Sequence, residues 1–163
     1  MNKIHQISAE HLSIEQIGEI IKNGTKLELS EDTRQRIIRC REYLDNKIKE
    51  SETPIYGVTT GFGSLCKISI DKDSLSQLQK NLVMSHACGV GDRVPNEIVK
   101  IMLLLKIQSL SYGYSACQLK TVERLINFFN NDIYPIVYMQ GSLGASGDLV
   151  PLAHLSLPLI GMG

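Results

Sequence analysis

The chain has 163 residues, 43% of them hydrophobic and 21% charged, a make-up that fits one folded unit with an ordinary core spanning 1–163. Seventeen basic residues balance seventeen acidic ones, so neither nucleic acid nor an anionic membrane is an expected partner. No run reaches the ~20 apolar residues of a membrane span, and Met1-Asn2-Lys3-Ile4-His5 lacks the apolar stretch of a secretory signal, so a cytoplasmic protein is expected.

Ser13 to Asn23 reads as a first helix, with Ile14, Ile17, Ile20 and Ile21 on one face and Gly24 ending it. Lys26-Leu27-Glu28-Leu29 alternates like a short strand. Ser30 caps a long helix whose apolar stripe is Ile37, Tyr43-Leu44 and Ile48, with Glu31 and Asp32 in the first turn. Pro54 to Gly63 reads as a short strand carrying Tyr56, followed by a glycine-rich turn. Asp73 to Ala87 reads as a helix facing Leu75, Leu78, Leu82 and Val83 inward, with His86 near its end. Pro95 opens the most apolar helix, which reaches about Tyr112 and demands cover on most sides. Gln118 to Asn131 is amphipathic through Leu119, Val122, Leu125, Ile126 and Phe129. Leu149 to Ile160 is a last apolar helix that Pro158 should bend or end. Cys40, Cys66, Cys88 and Cys117 form no Cys-x-x-Cys pair and have no histidine at ligand spacing, so they read as reduced, partly buried thiols, and no metal is expected.

Two glycine-rich stretches stand apart from this helical pattern. Gly141-Ser142-Leu143-Gly144-Ala145-Ser146-Gly147-Asp148-Leu149 is a run of small residues before a helix, with Asp148 as a start signal and Pro151 in the first turn. A phosphate cradle would need a lysine where Asp148 stands, and a nucleophile elbow would need a different glycine spacing around Ser146. Two readings remain open on the residues: a flexible linker, or a backbone condensation in which the Gly147 nitrogen closes on the Ala145 carbonyl. The other stretch is Tyr56-Gly57-Val58-Thr59-Thr60-Gly61-Phe62-Gly63. Alone, it is a turn with a structural tyrosine.

Together with Leu78-Gln79-Lys80-Asn81-Leu82-Val83-Met84-Ser85-His86, these two stretches resemble, in the same order, the motifs of the aromatic amino acid ammonia-lyases. The resemblance runs from about Leu12 to Gly163. It implies a mainly α fold with a few short β strands, the N-terminal part of the fumarase/aspartase-like helical fold, without the helical bundle that follows in the family. It also implies that Ala145-Ser146-Gly147 cyclise and lose two waters to give 4-methylidene-imidazol-5-one, with no metal. No ordinary side chain is an electrophile, which is why such chemistry needs a group of this kind. By the same resemblance Tyr56 is the base, Ser146 becomes the reactive carbon, Asp148 supports ring formation and His86 contacts the substrate ring. A phenol ordinarily ionises near pH ~10, so a base role for Tyr56 calls for surroundings that take its proton.

Within the family the similarity is greatest to the histidine-specific members, which implies elimination of ammonia from L-histidine to trans-urocanate by a homo-oligomer, a tetramer at full length. Thr60 stands where many of those members carry asparagine, and tyrosine-specific lyases and 2,3-aminomutases share the Ser85-His86 pair. These are the alternative within the family. The alternative of another class is a non-catalytic truncated helical module, and an isolated chain of 163 residues is expected to be inactive.

Overall fold

A computed structural model describes residues 3–50, 53–68 and 70–163. Along the chain lie β1 (Ile4–Ile7), α1 (Ile14–Lys22), β2 (Lys26–Leu29), α2 (Glu31–Glu50), α3 (Leu75–His86), β3 (Val90–Arg93), α4 (Asn96–Ser111), α5 (Leu119–Asn130), β4 (Tyr138–Gln140) and α6 (Leu149–Ser156). Short 3-10 turns occupy Gly63–Leu65, Lys72–Ser74, Gly144–Ser146 and Leu157–Ile160. The mainly helical expectation with few short strands holds. Among the described residues no helix is long and apolar enough to cross a membrane. The chain divides into two compact units.

The first unit comprises Met1–Lys47 and Pro95–Tyr134. Its helices start where the caps say. Ser13 Oγ accepts from the Gln16 amide at 3.2 Å while Gln16 returns a bond to the Ser13 amide at 2.8 Å, a complete capping box. Ser30 Oγ accepts from the Thr33 amide at 3.3 Å and opens α2. Strands β1 and β2 pair in parallel, Ile4 opposite Lys26 through Ile7 opposite Leu29. The sequence reading lacks β1 because its four residues carry no turn signal and only one buried side chain. On the other side of β2, the Asn130 side-chain amide accepts from Leu27 N–H at 2.8 Å and donates to Leu27 C=O at 2.9 Å. The core between α4 and α5 is built from Val99, Leu103, Leu104, Ile107, Val122, Leu125, Phe128 and Phe129. Ile98 and Leu105 of α4 stay exposed, so the cover that its apolar circumference demands is not complete within the described residues. One expectation needs correction: of the stripe assigned to α2 only Ile37 is buried, while Tyr43 is exposed.

The second unit comprises Ile48–Val94 and Pro135–Gly163. Here β3 and β4 form an antiparallel pair with a register irregularity between Val90 and Arg93, and α3 packs on α6. The glycines of Gly89-Val90-Gly91 hid β3 from a reading by alternation. The strand expected at Pro54 is absent. Residues 56–59 form turns instead, because Thr59 takes the Ile55 amide on its hydroxyl at 2.8 Å and returns its own amide to the Ile55 carbonyl at 2.9 Å. Such local side-chain bonds compete with sheet pairing. The inward face assigned to α3 is half-buried rather than buried. Pro158 ends α6 as expected, in a 3-10 turn.

Of the four free thiols, Cys40 and Cys117 are half-buried, whereas Cys66 and Cys88 are exposed, against the expectation of partial burial. Burial pushes the Cys117 thiol above its ordinary value.

Candidate functional site

Every residue singled out for chemistry falls in the second unit. The turn carrying Tyr56 is fixed from inside by Thr60, which is fully buried, accepts from the Gly57 amide at 3.2 Å and donates to the Gly61 carbonyl at 3.0 Å. Gly57 sits at φ +69, and a Cβ there would come within 2.6 Å of the Phe62 ring. Only glycine therefore lets that ring settle against the turn. From α3, Gln79 donates to the Gly57 carbonyl at 3.0 Å and ties the turn to the helix.

Three rings then line up. Phe62 lies 5.7 Å from Tyr56, tilted, and 5.7 Å from His86, edge to face. The Tyr56 ring is exposed, and its hydroxyl accepts from the Gly63 amide at 3.3 Å. His86 Nδ1 lies 2.7 Å from the Leu82 carbonyl, one turn back in α3. A carbonyl can only accept, so Nδ1 carries a proton, and in the neutral ring Nε2 is the atom with the lone pair. The array thus offers a phenol oxygen and an imidazole acceptor on either side of an apolar ring.

The Ala145-Ser146-Gly147 segment is a tight 3-10 turn ended by Gly147 in the left-handed region, φ +79 and ψ 30. The Leu143 carbonyl gathers three donors: Ser146 N–H at 2.9 Å, Ser146 Oγ–H at 2.7 Å and Asp148 N–H at 3.3 Å. Gly147 N–H donates to the Gly144 carbonyl at 3.0 Å. One end of the loop is pinned. A Cβ on Gly141, at φ +125, would meet the Val150 side chain at 2.8 Å and Gly89 Cα at 3.2 Å. Asp148 holds the N-cap position of α6 but does not cap it; its backbone is left-handed, φ 58, and its carboxylate accepts instead from Ser142 Oγ. The cap expected from the sequence is replaced by that bond. The turn is compact and open: all of 141–148 is exposed, and nothing stands within 4 Å of a Cβ placed on Gly144 or Gly147. Among the described residues the turn makes no hydrogen bond or ring contact with Tyr56 or His86.

His154 is buried in α6. Its Nε2 accepts from the Gly89 amide at 2.9 Å and its ring meets Tyr138 edge to face at 5.2 Å. Burial holds this imidazole below its ordinary value, in the neutral form that can accept. The sequence reading gave no role to Phe62, Gln79 or Ser142. A phenylalanine between two glycines was the one signal available for Phe62, and the bonds of Gln79 and Ser142 exist only after folding.

The chain matches the aromatic amino acid lyase family over residues 12–163. It is 50% identical to a histidine ammonia-lyase of Deinococcus radiodurans over 152 residues, covering 93% of this chain and 29% of that protein. Among solved structures it superposes on the ergothioneine-degrading enzyme ergothionase of Treponema denticola with a TM-score of 0.93 and 28% identity, covering 98% of this chain and 32% of that one. It superposes on the histidine ammonia-lyase of Trypanosoma cruzi with a TM-score of 0.85 and 30% identity, covering 99% and 30%. The chain therefore spans less than a third of the length of the curated relatives it matches. With its three motifs in order and a match across nearly its whole length, this chain belongs to the aromatic amino acid lyase family.

Proposed function

We propose that this chain is the electrophile-building portion of a histidine ammonia-lyase, which eliminates ammonia from L-histidine to give trans-urocanate. The observation that carries the reading is the pairing, in one unit, of a compact Ala145-Ser146-Gly147 turn with the Tyr56-Phe62-His86 ring array. The 50% identity to a histidine ammonia-lyase supports histidine as the substrate. The ring formed from the turn, 4-methylidene-imidazol-5-one, would supply the electrophile for the substrate amine. Tyr56 takes the proton from the substrate β-carbon, and its exposed ring leaves the oxygen within reach of a ligand. His86 holds the substrate ring through Nε2, whose lone pair accepts from an imidazole N–H; plain phenyl has no donor to offer it. Asp148 serves ring formation.

The tyrosine-specific reading within the family rests on the same lone pair, which a phenol O–H would also satisfy. To decide, the chain is co-expressed with the C-terminal remainder of the Deinococcus radiodurans relative and assayed on both amino acids. Urocanate from L-histidine, with little turnover of L-tyrosine, is expected. Coumarate, or a β-amino acid isomer, would overturn the histidine assignment. We also propose that the chain self-associates as a homo-oligomer in the cytoplasm. Its support is the exposed apolar surface of Leu65, Val90, Met139 and Leu143 in the second unit. A clean monomer in sedimentation would count against that.

A further inference from the structure

We propose that Ser142 is the positioning residue for ring closure, fixing the direction of the Asp148 carboxylate that directly follows the Ala145-Ser146-Gly147 turn. The inference rests on the reading above. Two features set Asp148 apart from an ordinary helix start. Its backbone takes a left-handed conformation that L residues adopt only at a cost. Its side chain also forgoes the capping bond that usually rewards an aspartate in that place. Instead the carboxylate turns back along the loop, and Ser142 Oγ donates to Oδ1 across six residues. Ser142 follows directly on Gly141, whose backbone is pressed against Gly89 and Val150. The serine thus directly follows the pinned end of the loop, and the carboxylate is tied to the serine. The five residues from Leu143 to Gly147, the Ala145-Ser146-Gly147 turn among them, lie inside the bridge.

Ring closure balances without an oxidant or any co-reactant. The Gly147 nitrogen forms a bond to the Ala145 carbonyl carbon. The Ala145 oxygen leaves as the first water, with one proton from Gly147 N–H and one from Ser146 N–H. The second water takes Ser146 Oγ with its own proton and the Ser146 Cα proton, leaving a Cα=Cβ double bond. Both losses need a group that accepts a proton from nitrogen or carbon and returns it to departing oxygen, which a carboxylate can do in turn. With Oδ1 engaged by Ser142, Oδ2 is the oxygen left to carry that proton. The hydroxyl acts only through Asp148. Ser146 itself bonds elsewhere, to the Leu143 carbonyl.

The test is the intact mass of the purified full chain, with fragmentation across 141–149, followed over time for the unmutated chain, Ser142→Ala and Ser142→Thr. The unmutated chain loses two waters within that window. Ser142→Ala closes about tenfold more slowly, as expected for loss of a hydrogen bond to a charged group, while its thermal melt and circular dichroism are unchanged. Ser142→Thr, which keeps the hydroxyl, closes at nearly the original rate. An equal rate in Ser142→Ala overturns the role of Ser142 and leaves the family reading standing. A Ser142→Ala chain whose melt collapses, with Ser142→Thr equally slow, makes the residue structural and also overturns it. An unmutated chain that keeps its full mass overturns the role of Ser142 and the electrophile-building reading together, because there is then no closure to position, and leaves membership of the family standing.

Discussion

Among the described residues, thirteen of the sixteen buried apolar side chains lie in the first unit and three in the second, while every residue assigned a chemical role lies in the second. The first unit spends its sequence on helix caps, a parallel strand pair and a closed layer of α4 on α5. The second spends it on turns whose backbone groups are held by Thr59, Thr60, Gln79, Ser142 and His154. The contrast separates two ways of fixing a chain. Apolar burial sets the overall position of helices and supplies most of the stability. Short-range polar bonds set the local direction of a few side chains, with little burial behind them. Sites are commonly drawn from the less stable part of a fold, because positions chosen for chemistry are not chosen for packing.

The sharpest way to break this contrast is to remove matched leucines. Leu104→Ala in the first unit is expected to cost about 3–5 kcal/mol in urea unfolding, since that side chain has no exposed surface. Leu143→Ala in the second unit should stay within about 0.5 kcal/mol, since its side chain is 64% exposed. Comparable losses at the two positions would dissolve the distinction. Next in size is Asn130→Ala, which strips both backbone groups of Leu27 of their partner. A cost of about 1–3 kcal/mol is expected, again by urea unfolding, and Asn130→Asp should recover part of it by keeping the acceptor.

A smaller effect separates the units by pH. Burial lowers the folded value of His154 below the ordinary one of about 6.5, so near that pH the unfolded chain binds more protons than the folded one. The contribution of His154 is therefore complete above about pH 6.5 and is lost as pH falls through the lower folded value. Hydrogen exchange at the Gly89 amide, which His154 accepts, should show protection near neutrality and its loss in mild acid. His5 in the first unit is lowered by burial in the same direction, so a readout at Gly89 assigns the effect where a global melt does not. Protection that persisted in acid would remove His154 from its structural role. A small change in stability, in the opposite direction, is expected at Asp148→Gly. It relieves a left-handed backbone worth about 1 kcal/mol, so the melting temperature should hold or rise while the loss of two waters stops. A melt that falls instead would give Asp148 a mainly structural part.

What was legible in the sequence follows the same division. In the first unit α1, β2, α2, α4 and α5 were all readable, because Ser13, Ser30 and Pro95 mark starts and the apolar spacing keeps one period. Only β1 escaped, being four residues long with three of its side chains outside the core. In the second unit the three motifs were recognisable as strings, yet their geometry was not. The expected strand at Pro54 became turns through bonds of Thr59 that no periodicity reports. Asp148 has the residue type of a cap, but its backbone angle turns the carboxylate toward Ser142. Phe62 could be named from its motif, but its place between Tyr56 and His86 depends on where α3 lies. Periodicity reports which face is buried; it carries no record of which amide a hydroxyl will find.

The Asn130 amide on Leu27 has a consequence for association as well as for stability. A two-stranded parallel sheet leaves an outer edge open to any further strand, and such edges template aggregation. At Leu27 both edge-facing backbone groups are already taken by a side chain from α5. The sheet is thus closed at its middle by an amide that imitates a third strand without extending the ladder, and an incoming strand would have to displace it before it could pair.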